Sequence, residues 1–197
     1  MREIRSVTTY NVEGMTTHIE DGDILEYGGH TLRAISASGH TPGHMCLLDE
    51  ETDSLFLGDH VLFDITPNIS PFTGYDNMLG QYLSSLAKTR ELEVRLPLPA
   101  HRSIGGDFNK RIGELQAHHS QRLEETLCVL DSYGGLNAYQ AASHMHWRVH
   151  GGSEWEDYPF RQRWFAVSEV EAHLDYLIGE GEVKTAPDDS GIRLYFR

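Results

Sequence analysis

Three short apolar segments, each running into a turn that carries a side chain of metal-ligand type, constrain this chain more than any other feature. His40 stands in "SASGHTPGH" (36–44), Asp59 in "LFLGDH" (55–60) and His101 in "LPLPAHR" (96–102). Zinc and related ions take neutral imidazole nitrogens and carboxylates, and catalytic sites leave one position open for water. Glycine and proline at such turns let the backbone come close to a ligand. One position of this kind is a weak signal; three, each at the end of a separate strand, form a convergent pattern. The 12 histidines in 197 residues point toward metal binding before any motif is named.

The rest of the chain supplies a frame for those positions. Residues 16–60 read as a β-meander, with Ile24, Leu25, Leu32 and Ala34 among polar residues and Asp-Gly and Gly-Gly turn signals between them. "HMCLLDEETDSLFLGD" reads as a hairpin around an acidic turn. Leu79, Tyr82, Leu83 and Leu86 fall at helical spacing, with Asp76 as the expected N-cap, and "VRLPLPAH" is a short strand beyond. The expected fold class is α/β (α+β), one sheet layer with helices outside. From Asp107 a long amphipathic helix places Ile112, Leu115, Leu123, Leu127 and Leu130 on one stripe and stops at Gly134-Gly135. A short helix over "NAYQAASHMHWRV", an aromatic loop "GSEWEDYPF", a third helix with Ala166, Val170, Leu174, Leu177 and Ile178 on one face, and a terminal hairpin follow. Helix, helix, helix, hairpin is the order of a winged helix. The expected division is 1–119 and 120–197.

Composition excludes some function classes. The net charge of −14 opposes nucleic-acid binding, which rests on Lys and Arg neutralising phosphates. No stretch approaches the roughly 18 apolar residues of a membrane span. Cys46 and Cys128, both in apolar runs, read as buried core thiols, which suits a reducing cytoplasm.

"SGHTPGH", "LFLGDHVLF" and "LPAHR", in this order and spacing, resemble the third, fourth and fifth motifs of the metallo-β-lactamase-fold hydrolases. The resemblance implies the second half of an αββα sandwich and a two-metal site of zinc, iron or manganese. It makes His40, Asp59 and His101 the metal ligands, with Asp59 bridging, and makes Asp59 and His101 catalytic, His101 standing close to the substrate. Metal-bound hydroxide would hydrolyse an ester, thioester, lactone or phosphodiester, because two cations acidify a water and polarise the substrate oxygen. The sequence also departs from the family. Its His-x-His-x-Asp-His motif has no counterpart in the 39 residues before His40, where His18 and His30 are the only histidines. "HMHWRVH" (His144, His146, His150) lacks the Asp-His that would follow and falls on an expected helix, so these histidines read as surface or core groups. His118 and His119 read as helix-face residues, and His44 and His60 as neighbours of the ligands.

Residues 120–197 resemble the winged-helix extension of some of these hydrolases, most clearly in "RQRWFAVSEVEAHLDYLIGEGEV". The helix that would enter a DNA groove, 167–179, carries Glu169, Glu171 and Asp175 and no Lys or Arg, so a structural or lid role is expected over nucleic-acid binding. With four ligands lacking, the expectation is a hydrolase half weakly active or inactive alone, with its metal bound or lost. Its apolar sheet face would be covered in a homodimer or by a partner, and its substrate is a small molecule in the intact enzyme. The alternative is a non-catalytic scaffold or regulatory binding module derived from such a hydrolase.

Overall fold

In the computed structural model, which describes residues 18–147 and 154–197, a five-stranded sheet is built in strictly sequential order. β1 (Ile24–Tyr27), β2 (His30–Ser36), β3 (Met45–Asp49) and β4 (Ser54–Gly58) form an antiparallel meander. Gly28 and Gly29, both at positive φ, make the two-residue turn between β1 and β2 that this handedness of strand twist favours. After β4 the chain crosses over through α1 (Met78–Arg90) to β5 (Leu96–Pro99), which pairs parallel with β4. β2, β4 and β5 therefore run the same way, and their C-terminal ends share one edge of the sheet.

The pleat sorts the side chains. Ile35, Cys46, Leu48, Leu55 and Leu57 face the helices and are buried with Leu79, Tyr82 and Leu86 of α1 and Ile112 and Leu115 of the next helix. Full burial of each such leucine or isoleucine contributes about 1.5–3 kcal/mol. On the opposite face the register aligns Ala34, Leu47, Phe56 and Leu98 in one row and Leu32, Asp49, Ser54 and Leu96 in the next. There Phe56 is 45% and Leu96 42% exposed.

α2 (Phe108–Tyr133) starts at Asp107, whose side chain accepts from Lys110 N–H, and ends at Gly134. Its first half packs on the sheet. Its second half joins α3 (Ala138–His144) and α4 (Phe160–Gly179) in a second apolar cluster that includes Val129, Leu130, Ala142, Val170 and Leu174. A hairpin of β6 (Lys184–Pro187) and β7 (Arg193–Phe196) closes the chain, and Tyr195 bridges back to Leu136. Trp155, in a single 3-10 turn, and Tyr158 are buried in this second cluster.

Several details differ from the sequence expectation. Asn77, in the left-handed region, caps α1 instead of Asp76, because its side-chain oxygen reaches Gly80 N–H. The short helix α3 ends at His144, so His146 lies beyond it, and His150 is outside the described residues. Ile178 is 36% exposed. Cys128 is exposed, unlike Cys46, because it shares the solvent face of α2 with Glu124 and Ser132.

His119 is also not a helix-face residue: it is buried. The buried seam of α2 runs Phe108, Ile112, Leu115, His119, Arg122, Thr126, Val129, alternating steps of three and four. His119 Nδ1 and His173 Nε2 of α4 lie 3.2 Å apart, and His173 Nδ1 donates to Glu169 C=O at 2.7 Å. Arg122 ties the same helices by donating to Glu169 of α4 at 3.3 Å; it also donates to Glu125 of its own helix, and its guanidinium lies 3.9 Å over Trp147. Burial, and then the neighbouring His173, depress the His119 pKa to about 3.

That shift has a definite sign. The unfolded chain takes up the His119 proton near pH 6.5 and the folded chain near 3, so the contribution of neutral His119 is complete above 6.5 and lost as pH falls through this window. The slope is about 1.4 kcal/mol per pH unit. Denaturation midpoints measured from pH 7.5 to 4.5 should fall accordingly, and His119→Gln should flatten the slope by that amount; an unchanged slope in the variant contradicts it.

Candidate metal centre

Each of the three strand-end residues leaves the shared edge of the sheet. His40 follows β2, Asp59 follows β4 and His101 follows β5. Two glycines make this edge possible. Gly39 has φ +142, and a Cβ there would lie 2.4 Å from Tyr82 Cα, so only glycine lets the turn before His40 sit against α1. Gly58 has φ +54, and a Cβ there would lie 2.6 Å from His44 Nε2. The parallel ladder continues past β5, with Ala100 N–H donating to Gly58 C=O at 2.9 Å, which carries His101 alongside Asp59.

The resulting geometry brings all three expected residues together. His40 Nε2 is 3.7 Å from Asp59 Oδ2, and His101 Nε2 is 3.4 Å from Asp59 Oδ1. One carboxylate thus turns a different oxygen toward each imidazole. His40 Nδ1 donates to Asn68 C=O at 2.9 Å, which leaves the lone pair on the nitrogen that faces Asp59. Asp59 Oδ1 is buried without a hydrogen bond, an acceptor atom in want of a cation or donor. Neutral imidazole nitrogens beside a carboxylate are a donor set of the kind that suits zinc and related divalent ions. Among the described residues no three His, Cys, Asp or Glu side chains meet around a single ion.

The surroundings are firmly held. Asp59 N–H donates to His44 Nε2 at 3.1 Å, and burial keeps the His44 pKa below its ordinary value. His60 is fully buried, its Nε2 3.0 Å from Thr89 Oγ1, and its carbonyl accepts from the Tyr82 hydroxyl at 2.9 Å. Arg111 of α2 donates to Leu62 C=O and Ile65 C=O, pinning the loop that follows Asp59. His144 stacks on Tyr133, and His146 N–H donates to Glu125, so the "HMHW" stretch belongs to the second cluster and not to this edge.

Residues 9–101 match the family model of the metallo-beta-lactamase superfamily. A lactamase-like protein of Neosartorya fischeri is 37% identical over 115 residues, 57% of this chain and 32% of the relative. An atrochrysone carboxyl ACP thioesterase of Paecilomyces divaricatus is 34% identical over 113 residues, covering 57% and 34%. The chain thus spans about a third of the length of the curated relatives it matches. Among solved structures, a metallo-beta-lactamase family protein from Thermus thermophilus superposes with a TM-score of 0.76 at 33% identity over 91% of this chain and 53% of that one. A beta-lactamase domain protein from Burkholderia ambifaria superposes with a TM-score of 0.80 at 30% identity over 92% and 52%. At that coverage the likeness takes in the C-terminal helices as well as the sheet.

Proposed function

Because residues 9–101 match the metallo-beta-lactamase superfamily model, we propose that His40, Asp59 and His101 are ligands of a metal-dependent hydrolase centre acting on an acyl or phosphoryl small molecule. The observation that carries this reading is the single carboxylate of Asp59 facing two imidazoles through separate oxygens. Zinc, iron or manganese held there would acidify a water and polarise a substrate oxygen. The chain's own residues do the positioning. His40 is fixed by Asn68, Asp59 by His44, and His101, 64% exposed at its side chain, stands on the solvent side where a substrate arrives. Among esters, thioesters, lactones and phosphodiesters, the thioesterase named among the relatives favours a thioester.

Three donors leave the shells of two ions incomplete, so these residues need further ligands for full activity. The purified chain is therefore expected to turn over a generic thioester only weakly with zinc or manganese. Turnover that depends on metal and vanishes in Asp59→Asn supports the hydrolase reading, and brisk turnover would overturn the expectation of weakness. The second reading is a non-catalytic scaffold or regulatory module. Protein that binds no metal at these residues and shows no turnover would support it.

The C-terminal helices and hairpin are proposed to be a winged helix with a structural role and no nucleic-acid partner. Glu169 of α4 is consumed by Arg122, and residues 167–179 offer no Lys or Arg to phosphate. No described helix is long and apolar enough to cross a membrane; the cytoplasm is proposed on the two unpaired thiols. The sheet face bearing Phe56, Leu96 and Leu98 is proposed to be covered by a second copy or a partner chain. Light scattering of the purified chain should report a mass above one protomer, and a monodisperse monomer would contradict self-association.

A further inference from the structure

His44 lies outside the three ligands, yet its bonding fixes more than its own place. Asp59 N–H donates to His44 Nε2, so that nitrogen carries the lone pair and the proton of neutral His44 sits on Nδ1. His44 Nδ1 is buried and has no partner. The neighbouring ring shows the mirror-image need. Thr89 Oγ1 donates its own proton to Ser85 C=O at 3.0 Å, so toward His60 Nε2 it acts as acceptor and His60 carries its proton on Nε2. His60 Nδ1 is then a bare lone pair, likewise buried and without a partner. These proton positions follow from the groups each nitrogen faces. The two ring centroids are 6.1 Å apart. An orphaned donor on one ring and an orphaned acceptor on the neighbouring ring are needs that a single buried water between the two rings would satisfy.

We propose that His44 is a positioning residue for Asp59, locked by a buried water shared with His60, in an unbroken chain from Asp59 N–H through His44, water, His60 and Thr89 to the Ser85 carbonyl of α1. Every link donates in one direction, from the turn that carries the bridging carboxylate to a helix buried against the sheet. His60 is braced independently, because its carbonyl accepts from Tyr82 and its ring lies 5.6 Å from the Tyr82 ring. Gly58 belongs to the same device: only a residue without Cβ leaves His44 Nε2 room to reach the Asp59 amide. The metal-affinity part of this inference rests on Asp59 being a ligand; the chain of hydrogen bonds does not.

Two measurements separate these parts. Long-range nitrogen–proton spectra of histidine-labelled full chain, recorded with chelator, should show His44 protonated on Nδ1 and His60 on Nε2, with a slowly exchanging His44 ring proton in contact with water. The opposite tautomer at His44, or a ring proton in fast exchange, overturns the chain. These spectra need no substitution, so a variant that fails to fold does not decide the question. Next, His44→Leu should speed exchange of the Asp59 amide by about tenfold or more and weaken cobalt binding about 10- to 100-fold. His44→Gln, whose amide oxygen can accept from the same N–H, should restore most of both. Unchanged Asp59 exchange in His44→Leu overturns the positioning role. The predicted tautomers with no cobalt binding in the unsubstituted chain would overturn the metal reading alone.

Discussion

Gly39→Ala should destabilise the chain by about 2–5 kcal/mol, more than any substitution of a solvent-exposed residue. The first part of the cost is conformational: at φ +142 an L side chain is strained, by roughly 1–2 kcal/mol. The second is steric. The new methyl would stand 2.4 Å from Tyr82 Cα and Cβ and 2.7 Å from Tyr82 N, all atoms of a helix that cannot yield as a flexible side chain does. Overpacking of this kind costs about 1–3 kcal/mol. α1 has little freedom to retreat, since Tyr82 is fully buried, its hydroxyl held by His60 C=O, and Leu79 and Leu86 are locked in the sheet core. Gly43→Ala, at a position with open space, is the control and should stay within about 0.5 kcal/mol of the parent. Urea denaturation of both variants decides the matter; equal midpoints would show that the turn before His40 can relax away from α1.

Asp59→Ala should abolish specific metal binding, with an affinity loss above about 100-fold. Loss of a group that merely supports a ligand costs about 10- to 100-fold, and Asp59 is the one residue placed against both histidines. His40→Ala and His101→Ala each remove one flank and should leave partial binding. His144→Ala, at a histidine stacked on Tyr133 in the second cluster, should change nothing. Calorimetric titration with zinc or manganese reads all four variants, and equal affinities for Asp59→Ala and His144→Ala would assign the metal to adventitious surface histidines.

The strand ends were readable because each is punctuated: Gly39 before His40, Gly58 before Asp59, and the prolines of β5 before His101. Their meeting was not readable from any one segment. It depends on β2, β4 and β5 running in one direction, which follows only from the pairing of the whole sheet. His44 was recognised as a neighbour of the site, but its hold on the Asp59 amide is a tertiary contact between two turns. The buried pair His119 and His173 escaped for a different reason. A stripe drawn through apolar residues alone skips His119, Arg122 and Thr126, although they continue the three-four spacing of Ile112 and Leu115. The periodicity was present; polarity masked it, and the polar groups are buried because α4 supplies their partners. Cys128 went astray in the opposite sense, an apolar neighbourhood in sequence concealing its four-residue step from Glu124 and Ser132 on the wet face.

The central claim is that His40, Asp59 and His101 form one metal centre, and paramagnetic broadening tests it most directly. Cobalt(II) titrated into full chain labelled at histidine should broaden the ring signals of His40 and His101 first and together, before those of His18, His30 or His144, and Asp59→Ala should remove that preference. Broadening spread evenly over the exposed histidines, or unaltered in Asp59→Ala, would contradict the account.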